Sequence, residues 1–315
     1  MSPHPRRLRS VVSSIAAVTA LSVLVAGCSS DAEETTGASA SSTTAGCSTD
    51  SPSRAAGAAP VPIAPATVTL VDAGDGERRV PITAPDVDTT QSVTLVTTSQ
   101  VASPGSADAQ TVEMPLAARF GCADLTDLEL DLGTVTSPDT TLNDALSAMT
   151  AAKAGLTLGP GYAPVSLRIA PPDAAGGEAR LAVEQALVSA FNTAVVLPAE
   201  PVAVGATWRS ERVVAAAATV TQTIDARLTA WDGNRLTIDY TLDETPVNSV
   251  FAIPGGGDSL TISRYSYAGE GTVTVDLTRG LPVSGEATYR GARELVGADP
   301  GRPLLQQTGL SVTWR

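Results

Sequence analysis

Apolar and polar residues alternate over long stretches of this chain, a pattern typical of half-buried β-strands. In residues 219–229, Val220, Ile224 and Leu228 alternate with polar residues, mostly threonines, and the Asp-Gly-Asn turn at 232–234 then reverses the chain. Similar runs occur at 91–101, 111–119, 127–132, 236–242, 273–277, 282–290 and 310–314. Because short turns join successive runs, we predict a large antiparallel sheet with one packed face and one solvated face.

The first strand is expected at Thr67, where Val68 and Leu70 alternate with polar neighbours. A glycine-rich turn at 74–76 then leads into a second apolar run at 79–82. Two short runs on either side of such a turn predict a β-hairpin.

Two amphipathic stretches interrupt the strands. The first covers residues 142–153 and has Thr140 or Thr141 available as its N-cap, and the second covers residues 178–193. Their inward-facing side chains are predicted to be Leu142, Leu146 and Met149 in the first helix and Leu181, Val183, Leu187 and Phe191 in the second. We therefore predict an α+β fold for residues 67–315, in which a curved, half-barrel-like antiparallel meander carries two α-helices.

Strict alternation in residues 127–132 places Asp127, Glu129 and Asp131 together on one strand face. Carboxylate oxygens are ligands for calcium, but the glycine-bearing loop of calcium sites does not accompany them. We expect these three side chains to lie on a solvated face, and we expect no metal or cofactor.

The chain begins with a basic segment and an apolar segment. Arg6, Arg7 and Arg9 precede the apolar run 11–25, which is too short for a membrane-spanning helix and is typical of an export signal. The residues Val25-Ala26-Gly27-Cys28 that follow resemble the lipobox of bacterial lipoproteins. That resemblance implies cleavage after Gly27, acylation of Cys28, and attachment to the outer face of the cell membrane.

Residues 28–66 are rich in serine, threonine and alanine and have few apolar anchors, so we expect a disordered tether. The predicted division is therefore a signal peptide at 1–27, an acylated tether at 28–66 and a single β-rich domain at 67–315. With Cys28 acylated, Cys47 and Cys122 remain, and an exported chain allows them either to pair in a disulfide or to stay as thiols.

Charge and histidine content exclude several functions. Without residues 1–27, 33 acidic residues face 17 basic ones, a net charge of −16, which argues against nucleic-acid binding. The single histidine, His4, lies in the predicted signal peptide, so histidine-dependent catalysis and zinc binding are not expected in the mature protein. A histidine-free carboxylate hydrolase is left open by three acidic residues on neighbouring predicted strands, Asp225, Asp239 and Asp243. The favoured interpretation is that they lie on a solvent-exposed face of the sheet.

The segment 197–208, Leu-Pro-Ala-Glu-Pro-Val-Ala-Val-Gly-Ala-Thr-Trp, resembles a group of uncharacterised lipoproteins from high-GC Gram-positive bacteria. The similarity extends from residues 67–72 to 269–279. It implies no catalytic residues. The predicted arrangement also resembles half-barrel lipoproteins that shelter an acyl chain between a sheet and a helix.

From these resemblances we expect a non-enzymatic, membrane-anchored envelope lipoprotein that binds a hydrophobic or envelope-derived ligand. Its candidate ligand-lining residues are Leu146, Met149, Leu187, Phe191, Trp208, Ile224 and Tyr240. The alternative is a structural module that binds another envelope protein through its acidic, threonine-rich sheet face. The sequence leaves the oligomeric state open.

Overall fold

The computed structural model describes residues 46–253 and 258–315. The predicted signal peptide, His4, Cys28 and the first part of the predicted tether lie outside the described residues. In the described part, one open antiparallel sheet dominates and helices are few, as the alternating pattern predicted.

Thirteen strands of the described residues form the sheet. They are β1 Val61–Pro62, β2 Thr67–Asp72, β3 Gln91–Ser103, β4 Ser106–Phe120, β5 Asp127–Leu132, β6 Lys153–Leu158, β7 Pro164–Ala170, β8 Thr207–Ala215, β9 Ala218–Asp232, β10 Arg235–Ala252, β11 Ser259–Asp276, β12 Ser284–Val296 and β13 Leu304–Trp314. Their order across the sheet is β1-β7-β6-β5-β4-β3-β13-β12-β11-β10-β9-β8-β2. The sheet is thus two meanders, β3 to β7 and β8 to β13, joined where β13 pairs with β3.

The predicted faces of the second meander are confirmed by burial. In β9, Val220, Ile224 and Leu228 are buried, while Asp225 and Arg227 between them are exposed. The turn after β9 is also confirmed, since Gly233 has a φ of +57° and β10 begins at Arg235. We call the face that carries the two longer helices the helix face, and the opposite one the outer face.

The second predicted helix is confirmed as α3, Gly177–Asn192. Its buried stripe includes Val183, Leu187 and Phe191, together with four alanines at three- and four-residue spacing. Leu181 is 64% exposed, so its predicted inward position is wrong. The alanine stripe sets the buried face of α3, and position 181 lies on the other side.

The first predicted helix is shorter than expected. Helix α2 spans Thr140–Leu146 and a 3-10 turn continues to Met149, whereas Lys153 already belongs to β6. Its cap is Asp139, whose Oδ1 accepts a 3.0 Å hydrogen bond from the Leu142 amide, so neither threonine is the cap. Ala151, at a φ of +65°, turns the chain out of the helix and into the sheet.

The predicted hairpin at 67–82 is wrong. Strand β2 pairs with β8, and Arg79 forms an isolated bridge to Val202. A Cβ on Gly74 would lie 2.6 Å from the carbonyl oxygen of Ala203, and its φ is +76°. The glycine therefore permits close contact between two segments, which the hairpin interpretation did not anticipate.

Residues 46–66, assigned by composition to the tether, belong to the domain. Cys47 and Cys122 form a disulfide with a Cα–Cα distance of 5.1 Å. Helix α1, Pro52–Ala55, then lies against β6 and β7, and Ile63 is buried in the main core. The compact domain accordingly starts before residue 67.

Asp127 and Glu129 are buried beneath this segment, so the predicted solvated face is wrong for both. The Arg168 guanidinium lies 2.5 Å from Asp127 Oδ1 and 3.6 Å from Glu129 Oε1. Ser53 donates a 2.8 Å hydrogen bond to Glu129, and Arg54 donates one of 3.1 Å to Asp127. Burial alone would raise the pKa of Asp127, but the bonds from Arg54 and Arg168 lower it overall.

Candidate functional site

A narrow crevice separates the end of α3 from the helix face of β10 to β13. Its volume is about 60 Å³ and its lining is mostly apolar. The β6–β7 turn, the end of α3 with the residues after it, and the β11–β12 turn complete its walls. The side chains that define it are Tyr162, Phe191, Leu197, Tyr240, Leu281 and Trp314.

The β6–β7 turn fixes one wall of the crevice. Tyr162 has a φ of +57°, which few side-chain-bearing residues adopt, and its hydroxyl donates a 2.8 Å hydrogen bond to the carbonyl of Leu277. A Cβ on Gly161 would lie 2.9 Å from the carbonyl oxygen of Leu197. The turn is therefore held between the β11–β12 connection and the segment after α3.

Two of the seven predicted lining residues, Phe191 and Tyr240, line the crevice. The other five are buried in the same core but away from it: Leu146, Met149, Leu187, Trp208 and Ile224. Trp208 instead donates a 2.9 Å hydrogen bond from its indole nitrogen to the carbonyl of Val196, which ties the segment after α3 to β8.

The other four side chains that define the crevice were not predicted to line it: Tyr162, Leu197, Leu281 and Trp314. Each lies at a turn, in an irregular segment or at the end of a strand, where periodicity carries little information about the partner element. Trp314 packs 6.2 Å from Phe191 between ring centroids, a contact that requires the pairing of β13 with β12 and β3.

Three tyrosines on the helix face lie over glycines of the neighbouring strand. Tyr240 is paired with Gly271, Tyr289 with Gly269, and Tyr267 with Gly291. A Cβ on Gly271 would lie 2.8 Å from the Tyr240 ring, and one on Gly269 would lie 2.6 Å from the Tyr289 ring. Aromatic side chains commonly cover glycines in this way in sheets.

The tyrosine hydroxyls extend from the crevice along the helix face. Those of Tyr240 and Tyr289 are 2.9 Å apart and hydrogen-bonded. Burial raises the pKa of both, so they stay protonated at neutral pH. The crevice thus has an aromatic, hydrogen-bonding side next to its apolar end.

Arg212 lies beside the crevice on the helix face of β8 and is 3% exposed. It donates hydrogen bonds to the carbonyls of Phe191 (3.5 Å) and Ala194 (2.8 Å), and it pairs with no carboxylate of residues 46–253 and 258–315. Burial lowers the pKa of Arg212 to about 10, which still leaves it charged at pH 7. Among the residues that the structure describes, the site therefore contains a buried positive charge without a paired carboxylate.

Three buried polar atoms near Arg212 have no hydrogen-bond partner in the described part of the chain. They are Ser210 Oγ, Gln222 Oε1 and Asn192 Oδ1. Ser210 lies two residues before Arg212 on the same face, and Gln222 is the residue of β9 that is paired with Arg212. Asn192 follows Phe191, whose carbonyl Arg212 contacts.

A half-buried carboxylate lies further along the same row. Glu244 is paired with Gln222, which donates a 3.2 Å hydrogen bond to it, and Tyr265 donates one of 2.6 Å. Burial raises the pKa of Glu244, an effect that these two hydrogen bonds oppose.

The carboxylates considered for hydrolysis lie on the outer face. Asp225 accepts two hydrogen bonds from Arg209, at 2.8 and 2.9 Å, and Asp239 accepts one of 2.8 Å from Thr272. Asp243 is exposed. In the part of the chain that the structure describes, no group of three acidic, cysteine or histidine residues has a metal-binding arrangement.

No protein-family profile matches the chain, and no curated protein is significantly similar to it. Among residues 46–253 and 258–315, no helix is both long and apolar enough to cross a membrane.

Proposed function

We propose that this protein is a non-enzymatic, lipid-anchored lipoprotein of the cell envelope that binds an apolar ligand between the end of α3 and the sheet. The observation that carries the proposal is the crevice, an opening with a mostly apolar lining that includes residues of the main hydrophobic core. Apolar clefts with a few polar groups are the usual form of small-molecule sites.

The arrangement of the domain supports this proposal. The open antiparallel sheet carries its two longer helices, α2 and α3, on one face, as a half-barrel that shelters a ligand would require. Residues 194–198 have no helix or strand, and two side chains of β8, Trp208 and Arg212, hold them in place. Ligand pockets usually measure about 300 Å³ or more, so the crevice must widen to hold an extended ligand. Displacement of residues 194–198 would widen it.

Localisation follows from the proposed acylation of Cys28. Diacylation at this residue would anchor the chain, since buried acyl chains contribute about 0.8 kcal/mol per CH₂ group. Labelled palmitate should be incorporated by the wild-type chain and not by Cys28→Ala. Incorporation that persists in Cys28→Ala would contradict the proposed anchor.

Ligand binding is tested by native mass spectrometry of the protein extracted from membranes in mild detergent. We expect a non-covalent mass adduct on the wild type and its loss in Ala194→Trp, because Ala194 lines the crevice and an indole would fill it. Ala102→Trp, at another half-buried alanine near the tip of β3, is the control and should keep the adduct. A wild-type protein without an adduct would exclude the proposed function.

The second candidate, a partner-binding module, is favoured by the outer face. An open polar depression of about 670 Å³ there is lined by residues that include Asp225, Asp239, Glu270 and Thr288. Crosslinking in cells tests this candidate: one reproducible protein partner, attached through these residues, would support it in place of ligand binding.

A further inference from the structure

We propose that Arg212 binds the acidic group of an amphiphilic ligand whose apolar chain lies in the crevice. This inference rests on the proposed function and adds the chemical class of the ligand, a carboxylate or phosphate amphiphile.

The first observation is the uncompensated charge. A buried guanidinium is normally paired with an acid, because leaving a charge unpaired away from water is costly. Arg212 donates only two hydrogen bonds within the described part of the chain, both to neutral carbonyls, although a guanidinium has five N–H donors. An anion would both neutralise the charge and accept from the remaining donors.

The second observation is the set of unpartnered atoms. Ser210, Gln222 and Asn192 supply all three of the buried polar side-chain atoms that lack a partner in residues 46–253 and 258–315. Ser210 and Gln222 are neighbours of Arg212 in the sheet, and Asn192 follows Phe191, whose carbonyl Arg212 contacts. Ser210 is 1% exposed and its hydroxyl is free to donate to an anion. Groups of this kind in a well-packed interior point to an occupant that completes their hydrogen bonds.

The third observation is the position of Arg212 relative to the crevice. It holds the carbonyls of Phe191 and Ala194, and the same two residues line the crevice. The guanidinium therefore bonds the backbone of two residues that form the wall of the apolar site. An amphiphile with its chain in the crevice would place its head group at this wall.

Arg212 also acts as a latch in this proposal. A carboxylate or phosphate accepts hydrogen bonds from arginine more strongly than a neutral carbonyl does. The acidic group would replace the Ala194 carbonyl at the guanidinium, which releases the segment after α3 and widens the crevice for the chain. A neutral amphiphile cannot replace the Ala194 carbonyl at Arg212 in this way, so the crevice would stay closed to it.

The test uses the mature, lipidated protein in phosphatidylcholine nanodiscs and two twelve-carbon photoreactive probes, one an acid and one the corresponding alcohol. We expect the acid to label the wild type about 10- to 100-fold more efficiently, the range for a charge-assisted hydrogen bond. Competition by dodecanoate and by dodecyl phosphate distinguishes a carboxylate head from a phosphate head.

Variants separate the role of Arg212 from general effects. Arg212→Gln should lower acid labelling to the level of the alcohol, and Ser210→Ala, which removes no hydrogen bond within the described residues, should lower it several-fold. Arg209→Gln is the matched control, because Arg209 lies on the outer face of the same strand. It should label like the wild type.

The possible failures are distinguishable. Equal labelling of the wild type by acid and alcohol, or an unchanged preference for the acid in Arg212→Gln, would refute the role of Arg212 while leaving an apolar ligand in place. Absence of labelling by either probe would refute the proposed function itself, and this inference with it.

Discussion

Replacing Arg168 with methionine should destabilise the domain much more than the same change at an exposed arginine. Arg168 is 5% exposed, and its guanidinium faces Asp127 and Glu129, which are 5% and 4% exposed. Methionine preserves much of the side-chain volume but leaves two buried carboxylates without their principal cation. Removing one partner of a buried ion pair costs about 3–5 kcal/mol in the free energy of unfolding.

Arg209→Met is the matched control for this prediction. Arg209 and Asp225 also form a cross-strand pair, but the side chains are 51% and 49% exposed. Water screens such a pair, so its loss should cost about 1 kcal/mol or less. Urea denaturation at pH 7 measures both variants against the wild type.

The pH dependence provides a second check on Arg168→Met. In the wild type the pKa of Asp127 is lowered, so its stabilising contribution persists until the pH falls below the ordinary value of about 3.9. In the variant Asp127 keeps only the more exposed Arg54, so its pKa should lie above the wild-type value and it should take up its proton at a higher pH on acidification. The difference in the free energy of unfolding between the wild type and the variant should therefore become smaller on acidification. Equal losses for Arg168→Met and Arg209→Met at pH 7, or a difference that does not change with pH, would refute this reasoning.

Three further predictions concern other parts of the domain. Replacing Cys47 and Cys122 with serine should lower the free energy of unfolding by about 4 kcal/mol, because the disulfide closes a loop across a sequence separation of 75. Denaturation of the wild type with and without a reducing agent gives the same comparison, and identical midpoints under the two conditions would contradict the prediction. Gly271→Ala should lower the free energy of unfolding by about 1–3 kcal/mol through overpacking, because a Cβ there would lie 2.6–2.8 Å from neighbouring atoms. Gly177→Ala is the control, because a Cβ there meets nothing within 4 Å and should leave the stability unchanged or raise it. Thermal melting measures both variants. Glu244→Gln should stabilise the protein at pH 7 and not at pH 4. The pKa of Glu244 is raised in the folded state, so the wild type loses stability as the pH rises above the unfolded-state pKa of about 4.5, and glutamine avoids this loss. The same difference in melting temperature between variant and wild type at both pH values would contradict this prediction.

Strands such as β9 were predictable because alternation directly reports which residues share a face, whereas β6, β7 and β8 were not among the predicted runs. Val220 to Leu228 shows this, since every second residue is buried as the pattern required. Alternation does not show whether the polar face is covered. Asp127 and Glu129 were expected in water because their covering residues, Ser53 and Arg54, lie more than 70 positions earlier in a segment whose composition indicated a tether.

The candidate site was predictable only in part, for a related reason. Phe191 and Tyr240 lie on regular elements whose inner faces the sequence shows. Tyr162 depends on an unusual backbone conformation, and Trp314 depends on the pairing of the last strand with the first meander. Arg212 carried a usable signal, because it lies on the same alternating face as the buried Trp208.

Photocrosslinking with a diazirine-labelled amphiphile, followed by peptide mapping, tests ligand binding in the crevice most directly. The crevice predicts that adducts concentrate on residues 190–197 and on the end of β13 at Val312 and Trp314, and that Ala194→Trp abolishes them. Adducts confined to the outer face, or adducts unchanged in Ala194→Trp, would contradict ligand binding between α3 and the sheet.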